Sequence, residues 1–97
     1  MDLRQKVADA AVAELRVQLD ADGVDQCGTW VQADGMFRMV GVAEAIIRVA
    51  LDRSNADLVE EVARGIGGSE WQSYLLQAGD AITGARGALL EQLDPLP

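Results

Sequence analysis

Apolar residues recur at helical spacing in four stretches of this chain, and one stretch between them breaks the rhythm. Leu3, Val7, Ala11, Leu15 and Leu19 follow one another at intervals of four, and Val12 widens the stripe. This predicts a helix over 3–19. Asp2 stands where an N-cap belongs, because its carboxylate can accept from the orphan N–H groups of the first turn. Gly23 is a suitable stop. A second helix is predicted over 36–52, with Asp34 as its N-cap. Its polar positions Arg38, Glu44, Arg48 and Asp52 fall within an arc of roughly 120°, at about 100° per residue. The rest of its circumference is apolar or small, from Met36 to Leu51. Such a helix is expected at the centre of the fold, packed on several sides, or in a dimer interface.

The third predicted helix is short, 55–65, with Ser54 as N-cap and Asp57 close to a capping-box position. Leu58, Val62 and Ile66 form its inner edge, and Gly65, Gly67 and Gly68 end it. The fourth is the longest, 70–93, capped by Ser69 and stopped by Asp94-Pro95-Leu96-Pro97. Trp71, Leu75, Ala78, Ile82, Ala85, Leu89 and Leu93 alternate at four and three, as a coiled-coil seam does. Trp71, Leu75, Ile82 and Leu89 are therefore the candidate oligomer seam, with core as the plainer alternative. Gly79, Gly84 and Gly87 lie inside the same helix. Each costs about 1 kcal/mol relative to alanine. They imply either close approach of a neighbouring helix or a bent one.

The expected fold is all-α: a small three- to four-helix antiparallel bundle, one domain over 1–97, with helix 2 central and helices 1 and 4 across it. The connection 20–35 is long for a bundle, and long ordered loops are disproportionately functional. Thr29-Trp30-Val31 has an extended character, but three residues are too few to predict a sheet.

Charge sharpens the interest of that loop. The chain of 97 residues carries a net −8. Residues 20–35 hold Asp20, Asp22, Asp25 and Asp34 with no basic residue, which is half of the total. An acidic balance argues against nucleic acid, which needs Lys and Arg to neutralise phosphates, and against anionic membrane surfaces. The longest nearly apolar run, 39–51, is interrupted by Glu44 and Arg48 and is too short to span a bilayer. Charged residues directly behind Met1 do not resemble a signal segment. One cysteine forms no internal disulfide and suits a reducing compartment. A cytoplasmic protein is expected. The abundance of Ala, Gly, Val, Asp and Arg, with a single lysine, fits a GC-rich genome such as an actinobacterium or one of its bacteriophages.

The chemistry on offer is sparse. There is no histidine, so the usual general base, the Ser/His/Asp and Cys/His arrangements and imidazole metal sites are all removed. Cys27 lies near four aspartates, which disfavour the thiolate a nucleophile needs. No enzymatic role and no cofactor are expected. Asp20-x-Asp22-Gly23 invites comparison with the EF-hand loop. Placing Gly23 at loop position 6 leaves Gln18 at position 1 and Thr29 at position 12, so both terminal acids are missing. Asp and Gly are here read as turn residues. Neither Trp30-Val31-Gln32 nor Trp71-Gln72-Ser73 fits the Trp-x-Gly turn of the small secreted helical hairpins.

Of the four aromatics, Trp71 sits on the helix 4 seam and Tyr74 one position off it. Trp30 lies in the acidic loop. It is expected to fold back over the end of the bundle; exposed among carboxylates, it would instead be a docking anchor. The favoured reading is a non-enzymatic accessory or regulatory protein that binds another protein and itself, as a homodimer. Its candidate docking residues are Asp20, Asp22, Asp25, Trp30 and Asp34. The alternatives are a structural or assembly protein forming higher oligomers, and an acidic, nucleic-acid-mimicking inhibitor of a basic target.

Overall fold

A computed structural model describes residues 2–93. The fold is predominantly helical, as the pattern predicts, with one departure: a β-hairpin lies inside the acidic loop. The elements run α1 (Leu3–Gln18), a 3-10 turn (Ala21–Gly23), β1 (Val24–Cys27), β2 (Trp30–Ala33), α2 (Met39–Ala50), α3 (Ala56–Gly67), a 3-10 segment (Gly68–Tyr74) and α4 (Leu75–Leu93). The predicted stop at Asp94-Pro95-Leu96-Pro97 lies outside the described residues. No helix among the described residues is long and apolar enough to cross a membrane. The chain divides into two compact units, the first ending at Ala50 and the second beginning at Leu51.

In the first unit Asp2 caps α1 as expected, its Oδ1 accepting from the Arg4 N–H at 3.1 Å. Of the stripe at spacing four Leu15 is buried and Leu3 is exposed; the buried face of α1 runs through Ala8, Val12 and Leu15. Val12 and Leu15 of α1, Val24 of β1 and Val42 of α2 are buried together, with Leu19, Ala33, Phe37 and Ile46 against them. Burying a valine side chain contributes roughly 1.5–3 kcal/mol, so Val24 ties the hairpin to the helices. The second helix differs from its prediction. It begins at Met39, five residues beyond the expected cap Asp34. Gln18 organises its entry instead: its Oε1 accepts from the Arg38 N–H at 2.5 Å and its Nε2 donates to the Arg38 carbonyl at 3.1 Å. Nor is α2 enclosed. It packs on α1 within its unit, and Val42 is its one buried residue.

In the second unit Asn55, not Ser54, caps α3, with Oδ1 accepting from the Leu58 N–H at 3.2 Å. Asp52 accepts from the Ser54 N–H at 2.9 Å, which turns the chain just ahead of that cap. Gly68, at φ 58°, closes α3 in a conformation that favours glycine. The predicted fourth helix splits here. Residues 68–74 are 3-10, with a non-helical Glu70, and α4 starts at Leu75 without Ser69 as its cap. Two contacts set this kink. The Tyr74 ring lies directly on Gly67, and the Arg64 guanidinium stacks 4.6 Å from the centroid of Trp71. Ala63, Ala78 and Ile82 are buried, whereas Ile66, expected on the inner edge of α3, is half exposed.

Candidate functional site

The hairpin is built from two four-residue runs, Val-Asp-Gln-Cys and Trp-Val-Gln-Ala, joined by Gly28-Thr29. Gly28 has φ 60°, and among the described residues only glycines have a positive φ. A two-residue loop with positive φ only at its first position is a type II′ turn, whose twist suits a hairpin. The strands pair antiparallel: Val24 with Ala33, Asp25 with Gln32, Gln26 with Val31 and Cys27 with Trp30. The ladder continues one step below, where Asp34 N–H donates to the Gly23 carbonyl at 2.8 Å.

Strand alternation sorts the side chains. Val24, Gln26, Val31 and Ala33 share the face toward α1; Asp25, Cys27, Trp30 and Gln32 share the outer face. The residue that folds back from this loop is therefore Val24. Trp30, expected to do so, is 82% exposed. The cause is parity: a strand that buries Val24 and pairs it with Ala33 must turn Trp30 outward. Cys27 is a free, exposed thiol directly across from Trp30, and Asp25 sits diagonally from it.

A polar clamp holds the hairpin tip to α1. Gln5 and Gln26 each donate through Nε2 to Asp9 Oδ1, at 2.8 and 2.7 Å, and each also donates to the Gly28 carbonyl at 3.0 Å. The hydrogen bond from Gln26, then that from Gln5, holds the Asp9 carboxyl below the usual carboxylate range. Nothing in the hydrophobic pattern marks these three residues, since each reads as an ordinary solvated position.

The structure brings together only part of the acidic set. Asp20, Asp22 and Asp34 line one open cleft of about 630 Å³ with Gln18 and Gly23. Asp25 lies apart from them, on the outer face of the hairpin beside Trp30. The segment compared with a calcium loop runs through a 3-10 turn and into a strand. Among the described residues, no three His, Cys, Asp or Glu side chains group so as to hold a metal ion.

The candidate oligomer seam also divides. Trp71 is half-buried in the 3-10 segment under Arg64. Ile82 is 3% exposed and belongs to the core. Leu75 and Leu89 are 40% and 43% exposed, and Leu76, off the seam, is more exposed than either. Sequence reasoning missed the hairpin and with it the strand edge at Val31 and Ala33. The signal that marks it is Gly28-Thr29, a Gly-first pair, set between two short runs. Compared with protein-family models, with curated proteins and with solved structures, the chain matches none of them.

Proposed function

We propose that this is a non-enzymatic protein that acts by binding another protein, with the hairpin as its docking surface. One observation carries the reading: Trp30 stands 82% exposed on a hairpin face otherwise made of Asp25, Cys27 and Gln32. Leaving an indole in water forgoes the gain of burying it. The hairpin is fixed at both ends, by Val24 in the core and by the clamp on Gly28, so the indole is presented on a preorganised support. Rigid, exposed aromatic anchors of this kind supply much of the energy of protein interfaces. The absence of histidine from the chain supports a non-catalytic role.

The test is affinity capture from a host lysate with the wild-type protein and with Trp30→Ala. Trp30→Ala removes a solvent-facing side chain, so its fold is unchanged and its captured partner is lost. Capture of the same partner by both proteins would overturn the reading. Self-association into a homodimer belongs to the same proposal and is supported by the exposed leucines Leu75 and Leu89 of α4.

A second reading, an acidic inhibitor of a basic target, is favoured by the cleft that gathers Asp20, Asp22 and Asp34. It predicts binding that weakens steeply with salt and is lost when these three become asparagine, while Trp30→Ala has little effect.

A further inference from the structure

We propose that the outer edge of β2 takes up an extended, basic segment of the partner protein as a third strand. This rests on the reading of the hairpin as a docking surface and names how the partner is held. The ladder fixes which backbone groups are available. Asp34 N–H bonds to the Gly23 carbonyl, so Gly23 and Asp34 form a hydrogen-bonded pair, and pairs alternate along an antiparallel ladder. Asp25–Gln32 and Cys27–Trp30 then exchange bonds, whereas Val31 and Ala33 turn their N–H and C=O groups away from β1. The sheet has two strands, and β2 is its outer edge on this side.

Natural edge strands are guarded against added strands by lysine, proline, bulges or inward charges. Residues 29–33, Thr-Trp-Val-Gln-Ala, contain none of these residue types, and their register is unbroken. Beside the edge lies a mostly apolar groove of about 410 Å³, formed by Arg4, Val7, Ala8 and Ala11 of α1 with Thr29 and Val31. An added strand would hydrogen-bond to Val31 and Ala33 and lower every second side chain into this groove, the geometry of strand addition. Its alternate side chains would lie on the outer face. There a shallow depression of about 290 Å³ is lined by Asp25, Cys27, Trp30 and Gln32, with Gln26 and Val31 also contributing. A lysine or arginine seated there meets the Trp30 indole face and the Asp25 carboxylate together.

Charge selects the occupant. Residues 20–35 carry four aspartates and no cation, and Arg4 is the one basic residue in the groove wall. A second copy of this chain would bring its own four aspartates to the same edge, and like charges so juxtaposed repel. A segment alternating apolar residues with Lys or Arg satisfies the groove, the indole and the aspartates at once.

A library of random twelve-residue peptides, selected for binding to the intact protein, tests this. Enriched peptides should alternate Lys or Arg with apolar residues. Their binding should slow amide exchange at Val31 and Ala33, and should weaken as salt rises. Val31→Pro removes an outward N–H, a position where an edge strand tolerates proline, and should weaken binding about tenfold with the hairpin intact. Persistent protection of the Gln32 amide would report that intactness. Acidic or helix-patterned peptides, no enrichment, or binding indifferent to Val31→Pro would overturn the proposal. So would protection of Val31 and Ala33 that grows with protein concentration alone, which would assign the edge to a second copy. A lysate partner lost with Trp30→Ala but kept with Val31→Pro would sink the third strand and leave the docking surface standing. A partner indifferent to both would sink both.

Discussion

Asp9 is the residue on which the hairpin tip and α1 converge. Its carboxylate accepts from Gln26 and from Gln5, and both bonds favour the charged form. The folded-state pKa is therefore lower than in the unfolded chain. A lowered carboxylate pKa gives stability that is present above the unfolded value and lost as pH falls through the folded one. Asp9 is solvent-exposed, so the effect is local rather than global. NMR titration of the Asp9 side-chain carbon should give a midpoint below that of an aspartate in an unstructured peptide. The side-chain amide resonances of Gln5 and Gln26 should shift across the same range. A midpoint at or above the peptide value would show that the clamp does not hold in solution. Val24 is the complementary residue. It is almost fully buried in the cluster with Val12, Leu15 and Val42, so Val24→Ala should destabilise by roughly 1–3 kcal/mol in denaturant titration. Trp30→Ala should leave the midpoint nearly unchanged. A large loss from Trp30→Ala would mean that the indole is packed after all.

The elements show how far a linear pattern reaches. Helix α1 and its Asp2 cap were legible because four-residue spacing, a capping acid and a polar opposite face agree. The hairpin was not, because four residues per strand give too few alternations to outweigh a loop reading, and Gly-Thr is a weaker turn signal than Asn-Gly. Trp30 was misplaced for the same reason: without a strand, no parity rule puts it opposite Val24. The start of α4 was misplaced because Trp71 and Leu75 keep helical spacing although residues 71–74 are 3-10 rather than α-helical. The Tyr74 ring on Gly67 and the Arg64–Trp71 stack are contacts between segments, which spacing does not encode. That packing is testable with two glycines of one helix. A Cβ on Gly67 would fall 2.2 Å from the Tyr74 ring, whereas a Cβ on Gly65 would meet nothing within 4 Å. Gly67→Ala should destabilise by about 1–3 kcal/mol, and Gly65→Ala should stabilise by about 0.5–1 kcal/mol. Thermal unfolding of both variants gives the comparison; equal effects of the same sign would contradict the ring's position.

For the whole molecule the open physical question is self-association, and burial now separates variants that spacing alone made equivalent. Ile82 is core, so Ile82→Asp places a charge among apolar neighbours and should cost at least about 3 kcal/mol, with loss of helicity. Leu89 is 43% exposed, so Leu89→Asp should leave the folded chain intact. In the proposed homodimer α4 meets its copy along Leu75 and Leu89, and sedimentation equilibrium at high micromolar concentration should give a dimer. Leu89→Asp should then give a monomer with unchanged circular dichroism. The glycines of α4 add an independent check. A Cβ on Gly84 or Gly87 meets nothing within 4 Å in this chain. Alanine at either position should raise helix stability by about 1 kcal/mol. At about 100° per residue both lie on the side of α4 away from Leu75 and Leu89, so a dimer weakened by these changes would place the interface on the glycine side instead. A wild-type monomer throughout the concentration range would remove the dimer and leave the exposed leucines to a different chain. The net −8 sharpens this arm, because like-charged copies repel less as salt rises. A dimer held by leucines should therefore tighten with salt, whereas binding of a basic segment at β2 should loosen. Opposite salt dependences of the two associations, measured on one preparation, would place them on different surfaces of the protein.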